Sequence, residues 1–117
     1  MTAPALLDPS PYAGFDPEQD HLAVAAYDDG VVVVTLHQPQ RRNAMGLVMT
    51  DAWVRLIAAL RADPAVRVVV LTGAGTIFSS GGDTSWITSE PDATVGDLRL
   101  RMIAYYDAWL AVRDLEV

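Results

Sequence analysis

Cysteine is missing from the 117 residues, and so is lysine, since every one of the eight basic residues is an arginine. Without cysteine there is no thiol nucleophile, no disulfide and no Cys-ligated zinc. Without lysine there is no Schiff base, no pyridoxal anchor and no Walker-type phosphate loop. Histidine occurs only as His21 and His37, far apart in sequence and with no partner motif beside either. A His-rich metal centre or a Ser-His-Asp triad would have to be built from poor material, so no metal is expected and both histidines read as structural or solvent-facing. No apolar run approaches the roughly 18 residues of a membrane span. Met1–Gly14 carries neither positive charge nor an apolar core, so no secretory or mitochondrial address is read and the cytoplasm is the expected compartment.

Hydrophobic residues make up 51% of the chain and charged residues 20%, an ordinary globular composition and enough for one small domain. Asp and Glu total 15 against 8 Arg, a net charge of -7 that argues against nucleic acid or an anionic membrane as partner. The charge is uneven: residues 1–40 hold acids and no base, whereas five arginines stand between residues 41 and 82 against Asp51 and Asp63. A basic middle within an acidic chain suggests a local anion site. Arg55, Arg61 and Arg67 read as solvated charges flanking a helix and a strand. Arg41 and Arg42, adjacent in a loop, are less easily dismissed.

Pro4, Pro9, Pro11 and Pro17 break the first 20 residues, which read as a flexible arm ahead of a domain over residues 21–117. Leu22–Tyr27 and Val31–Leu36 predict a hairpin about the Asp28-Asp29-Gly30 turn. His37–Asn43 is a polar loop. Met49, Trp53, Leu56 or Ile57 and Leu60 recur at helical spacing up to Ala62-Asp63-Pro64. Val66–Leu71 predicts a fully buried strand, parallel and adjacent to Val31–Leu36 through a βαβ crossover. From about Thr94 to Val112 an amphipathic helix is expected, with Leu98, Met102, Tyr105 or Tyr106, Trp109 and Val112 on one face. Function in such an order tends to lie at the carboxyl ends of the parallel strands, here His37–Asn43 and Thr72–Asp83.

Ser79-Ser80-Gly81-Gly82-Asp83 is the richest stretch for chemistry. Two glycines let the backbone approach a ligand closely, and Asp83-Thr84 can cap a short helix. Backbone N–H donors held there would suit a developing negative charge, as in half of an oxyanion hole. The same glycines also serve ordinary turns, and the residues alone do not choose between the two. Other motifs fail on particular residues. Phe78 occupies the third glycine position of a dinucleotide fingerprint begun by Gly73 and Gly75, and it also stands where a nucleophile elbow on Ser80 would need glycine.

Pro39-Gln40-Arg41-Arg42-Asn43-Ala44-Met45, then Asp63 through Gly75, then Phe78 through Asp83, in this order and spacing, resemble the amino-terminal part of the enoyl-CoA hydratase/isomerase, or crotonase, family. The resemblance covers about Leu22 to Val117. It implies an α/β fold, a crotonase-like spiral of ββα units of which this chain forms the amino-terminal part. It also implies an acyl-CoA thioester as partner, with coenzyme A present as part of the substrate and no further cofactor. The Gly82 N–H corresponds to a donor to the thioester oxygen. Arg41, Arg42 and Ala44 correspond to a loop beside the CoA adenine and phosphates, and Ser80, Gly81, Asp83 and Trp86 to further substrate contacts. The family's second oxyanion donor and its acid and base carboxylates lie beyond Val117, so the remaining carboxy-terminal part of the domain is an expected partner, as is a homotrimer or hexamer. Glu90 and Glu116 do not stand where the family keeps a catalytic glutamate and read as surface charges. The implied reaction is hydration of a 2-enoyl-CoA. The alternatives are another reaction on the same scaffold, such as isomerisation or thioester hydrolysis, or a non-catalytic fragment that packs with a partner chain.

Overall fold

The structure is a computed structural model that describes residues 6–87 and 90–117. β-branched Val31–Leu36 forms β2, the middle strand of a three-stranded sheet. It pairs antiparallel with β1 (Leu22–Ala26), Ala25 facing Val33, and parallel with β3 (Val68–Gly73), Val33 facing Val70. Gly30 closes the hairpin at φ +91°, and a Cβ there would come within 2.7 Å of the Ala65 carbonyl oxygen, so the turn requires glycine.

The two-residue period sends Leu22, Val32, Val34 and Leu36 to one face, where they are buried against α2 (Leu47–Arg61). That helix answers with Met49, Ala52, Trp53, Leu56, Ile57 and Leu60, so both residues left open at Leu56 or Ile57 are core. A Thr94–Asp97 capping box starts α4 (Val95–Leu110), which crosses α2 through stacked rings of Trp53 and Trp109, 4.6 Å apart. Each indole N–H is satisfied: Trp53 donates to the Ala108 carbonyl at 3.1 Å and Trp109 to the Thr50 hydroxyl at 2.9 Å. Tyr105 faces inward and Tyr106 outward.

Two expectations meet a different structure. From Leu7 onward the proline-rich segment packs against the domain: Leu7 and Tyr12 are buried, and the Tyr12 hydroxyl donates to Asp63 Oδ2 at 2.7 Å. Its prolines initiate structure as well as break it, since Pro17 opens the one-turn helix α1 (Pro17–Asp20), whose Glu18 N–H bonds to the Asp16 side chain at 2.9 Å. Arg55 fastens the same segment through Asp20 at 2.8 Å and over the Phe15 ring. The second difference is β3, which begins at Val68, because Asp63–Arg67 form a turn in which Asp63 Oδ1 accepts the Ala65 N–H at 3.0 Å. Nor is β3 fully buried. It is an edge strand, and among the described residues nothing covers the outer face of the sheet, so Val68 and Val70 remain 49% and 43% exposed.

Candidate active site

The loops that leave β2 and β3 at their carboxyl ends are locked together by one buried amide. After a short turn at Pro39–Arg41, Arg42 and Asn43 both adopt left-handed backbone, φ +54° and +55°, which carries the Asn43 side chain inward to 0% exposure. Asn43 Oδ1 accepts the Gln38 N–H at 2.9 Å, while Nδ2 donates to the carbonyls of Ala74 at 2.9 Å and Ile77 at 2.8 Å. Its own carbonyl accepts the Ser79 hydroxyl at 2.8 Å. Gly73 makes this approach possible, because a Cβ would stand 2.8 Å from Asn43 Nδ2 and 2.3 Å from the Phe78 carbonyl oxygen.

Beyond this clamp the loops run side by side as a single parallel bridge between Met45 and Gly82. The Ser80 N–H donates to the Arg42 carbonyl at 2.9 Å, the Met45 N–H to Gly81 at 2.8 Å, and the Asp83 N–H to Met45 at 3.3 Å. The Gly81 N–H, at φ +99°, is taken by the Ser79 hydroxyl at 3.1 Å. Of the N–H groups from Ser80 to Asp83, that of Gly82 alone has no hydrogen-bond partner among the described residues. The reason is geometric. The Gly81 carbonyl of the same trans peptide is turned toward Met45, so the Gly82 N–H points the opposite way.

Asp83 caps α3 (Thr84–Ile87): its Oδ1 accepts the Ser85 N–H at 2.9 Å and hydroxyl at 2.6 Å. The same oxygen binds Arg41 Nη2 at 2.9 Å. Arg42 extends a guanidinium with no ion pair or hydrogen bond among the described residues. Arg41, Arg42, Ala44, Ser80, Gly82 and Asp83 share the wall of one cleft of about 380 Å³. Gly81 opens on a second, apolar cleft of about 280 Å³ with Met45, Phe78 and Trp109. Trp86 belongs to α3, but its side chain lies outside the described residues.

Of the other titratable groups, His21 lines a neighbouring cleft of about 360 Å³ with Arg41, Ala44 and Asp83. Glu90 pairs with Arg101, Glu116 is exposed, and no cluster of His, Asp and Glu suited to a metal ion occurs among the described residues. His37 lies within 3.9 Å of Glu18 on the surface. No described helix is long and apolar enough to cross a membrane. Sequence reasoning missed two residues here. Asn43 stood within the motif as a loop residue, although a turn-forming amide after two arginines was a usable signal. Tyr105 read only as a core position, yet its hydroxyl donates to the Met45 carbonyl at 3.1 Å, beside the bridge.

Residues 26–117 match the family model of the enoyl-CoA hydratase/isomerases. Over 101 residues the chain is 35% identical to a probable enoyl-CoA hydratase of Mycobacterium tuberculosis, covering 86% of this chain and 36% of that protein. It is 38% identical over 66 residues to a hydroxycinnamoyl-CoA hydratase-lyase of Pseudomonas fluorescens, covering 56% of this chain and 24% of the relative. Among solved structures, an enoyl-CoA hydratase of Mycobacterium smegmatis superposes with a TM-score of 0.70 at 29% identity, over 81% of this chain and 36% of that one. AtuE of Pseudomonas aeruginosa gives 0.68 at 34% identity, over 75% and 34%. The fold is thus the α/β crotonase fold, with part of its sheet present. The chain belongs to the enoyl-CoA hydratase/isomerase family, and it spans about a third or less of the length of these relatives.

Proposed function

We propose that this chain supplies the CoA-facing part and one oxyanion donor of a crotonase-type enzyme that adds water to a 2-enoyl-CoA thioester. The observation that carries the reading is the unpartnered Gly82 N–H in the wall of the cleft that also holds Arg41, Arg42 and Ala44. When water adds to the β-carbon, a C–O bond forms there and the π pair of the double bond shifts to the bond between the α-carbon and the carbonyl carbon. The carbonyl π pair moves onto the thioester oxygen to give the enolate. The Gly82 N–H donates to that oxygen, and the enolate then takes a proton at the α-carbon. A fixed donor costs no reorganisation as the charge develops. The groups that activate the water and return the proton, with the second donor, come from the remaining part of the domain. Arg42, with Arg41 behind it, faces the CoA phosphates, and Ser80, Gly81, Asp83 and Trp86 border the acyl end. No cofactor is required beyond the coenzyme A of the substrate. The working form is a cytoplasmic homotrimer or hexamer.

Gly82→Pro in the complete enzyme tests the reading, because proline deletes the N–H. Loss of one oxyanion donor lowers kcat by about 10²–10³. Circular dichroism and the melting curve check that the loop still folds. A well-folded Gly82→Pro enzyme with near-normal turnover would falsify the assignment. Isomerisation and hydrolysis use the same donor, and product analysis with a 2-enoyl-CoA separates them from hydration. The bare outer face of the sheet favours a second reading, a non-catalytic module that packs with a partner chain. That reading predicts a complete assembly without turnover on any enoyl-CoA.

A further inference from the structure

We infer that Tyr105 is a positioning residue for the oxyanion donor, its hydroxyl acting through the Met45 carbonyl to hold the Gly82 N–H in its direction. The inference rests on the reading of Gly82 given above. Gly82 hangs between two hydrogen bonds to one residue: Met45 N–H to the Gly81 carbonyl at 2.8 Å before it, and Asp83 N–H to the Met45 carbonyl at 3.3 Å after it. The direction of its N–H therefore depends on where Met45 sits. Gly81 is not wedged in place, since a Cβ there would touch nothing within 4 Å, and two successive glycines put few intrinsic limits on the backbone.

What holds Met45 comes from α4. The Tyr105 hydroxyl donates to the Met45 carbonyl at 3.1 Å, a second and shorter bond on the oxygen that Asp83 reaches only at 3.3 Å. Tyr105 is itself seated rigidly, one helical turn from Trp109, whose ring stacks on Trp53 and whose N–H is bound to Thr50. Burial, and behind it the neighbouring Tyr106 and Asp83, raise the Tyr105 hydroxyl above its ordinary titration range, so it remains a donor at neutral pH. The Met45 N–H has a further effect, because a peptide whose carbonyl accepts a hydrogen bond is a stronger donor at its N–H. A shift of Met45 would both turn and weaken the Gly82 donor.

The alternative role for Tyr105 is packing alone, and Tyr105→Phe separates the two because it keeps the ring and removes only the hydroxyl. The measurements, on the complete enzyme with a 2-enoyl-CoA, are kcat, KM, the melting temperature and the infrared stretch of the bound thioester carbonyl. Tyr105→Phe is expected to lower kcat by about 3- to 10-fold, the scale of one hydrogen bond, with KM within about twofold. The carbonyl stretch moves toward that of free thioester. In a Gly82→Pro background Tyr105→Phe lowers kcat no further, since both changes act on one donor. Fluorotyrosine at position 105 keeps the hydroxyl and restores kcat and the stretch. A Tyr105→Phe enzyme that melts lower but keeps wild-type kcat and stretch overturns the inference. So does a full additive loss in the double variant. Near-normal turnover of Gly82→Pro removes the donor reading itself, an outcome distinct from the first two.

Discussion

Arg41 Nη2 stands 2.9 Å from Asp83 Oδ1, so one of the two adjacent arginines expected at the CoA phosphates is already engaged with a carboxylate. The pair ties the loop after β2 to the start of α3 and balances the Arg41 charge within the protein. Arg42 carries no such partner among the described residues and lines the same cleft. Arg42→Ala is expected to weaken CoA binding by about tenfold at low salt, the worth of a partly screened charge-assisted contact, and by less as salt rises. Arg41→Ala has the smaller effect. Calorimetry at two salt concentrations decides the matter, and equal affinity for wild type and Arg42→Ala would remove the phosphate role.

Asn43 joins three backbone groups of two loops from a fully buried position. Its truncation removes the partner of the Gln38 N–H and of the Ala74 and Ile77 carbonyls, at about 1–3 kcal/mol for a group fully hidden from water and less where water reaches it, as at the exposed Ile77. Asn43→Ala should therefore cost about 1–3 kcal/mol and destabilise the cleft first. Asn43→Asp is no rescue, because it places an oxygen where Nδ2 faces two carbonyls. Melting curves of both variants test this, and unchanged transitions would show that the clamp contributes nothing.

The hairpin, the crossover and the two long helices were legible because each rests on local pattern: a β-branched run, a helical period, a turn at Asp28–Gly30. The parallel pairing of Val31–Leu36 with the following strand was legible from element order alone. The start of β3 was not, since the turn over Asp63–Arg67 depends on a side-chain bond from Asp63 that hydrophobicity does not report. The packed state of Leu7 and Tyr12 was also hidden, because proline density measures what a segment cannot form locally and says nothing of a tyrosine reaching Asp63 across 51 residues. In the site, Gly82 could be singled out as backbone chemistry permitted by glycine. Which N–H would be left over required the bridge to Met45, a long-range pairing of a single residue on each side.

Tyr12 makes stability depend on alkaline pH. Burial first, then the hydrogen bond to Asp63, raises its hydroxyl well above the ordinary value, whereas in the unfolded chain it titrates near about 10. The folded state therefore holds the proton more tightly than the unfolded one. Its contribution is complete below about pH 10 and is lost as pH rises from there toward the folded value. Tyr105, shifted in the same direction, adds to this loss. Urea midpoints from neutral pH to about pH 11 should fall less steeply for Tyr12→Phe than for wild type. Equal slopes would mean that Tyr12 is not held protonated by folding.

The outer face of the sheet governs how residues 1–117 behave when expressed by themselves. By register Val31 lies beside Val68 and Val33 beside Val70, with Ala25 next in the row, so small and branched apolar side chains form a continuous patch. Val68 and Val70 are 49% and 43% exposed on it, and the free edge of β3 adds unpaired backbone groups. Relatives that carry this region within a longer chain devote only about a third of their length to it, so in them the face has further polypeptide available to cover it. A bare edge and apolar patch favour self-association. Light scattering of the isolated 117-residue chain should show oligomers or aggregates, and co-expression with the carboxy-terminal part of a crotonase-family domain should restore solubility. A Val68→Thr, Val70→Glu variant, which keeps β3 but makes its outer face polar, should shift the isolated chain toward monomer. A monodisperse wild-type monomer that melts cooperatively would contradict the requirement for a covering partner and would support an independently folded module.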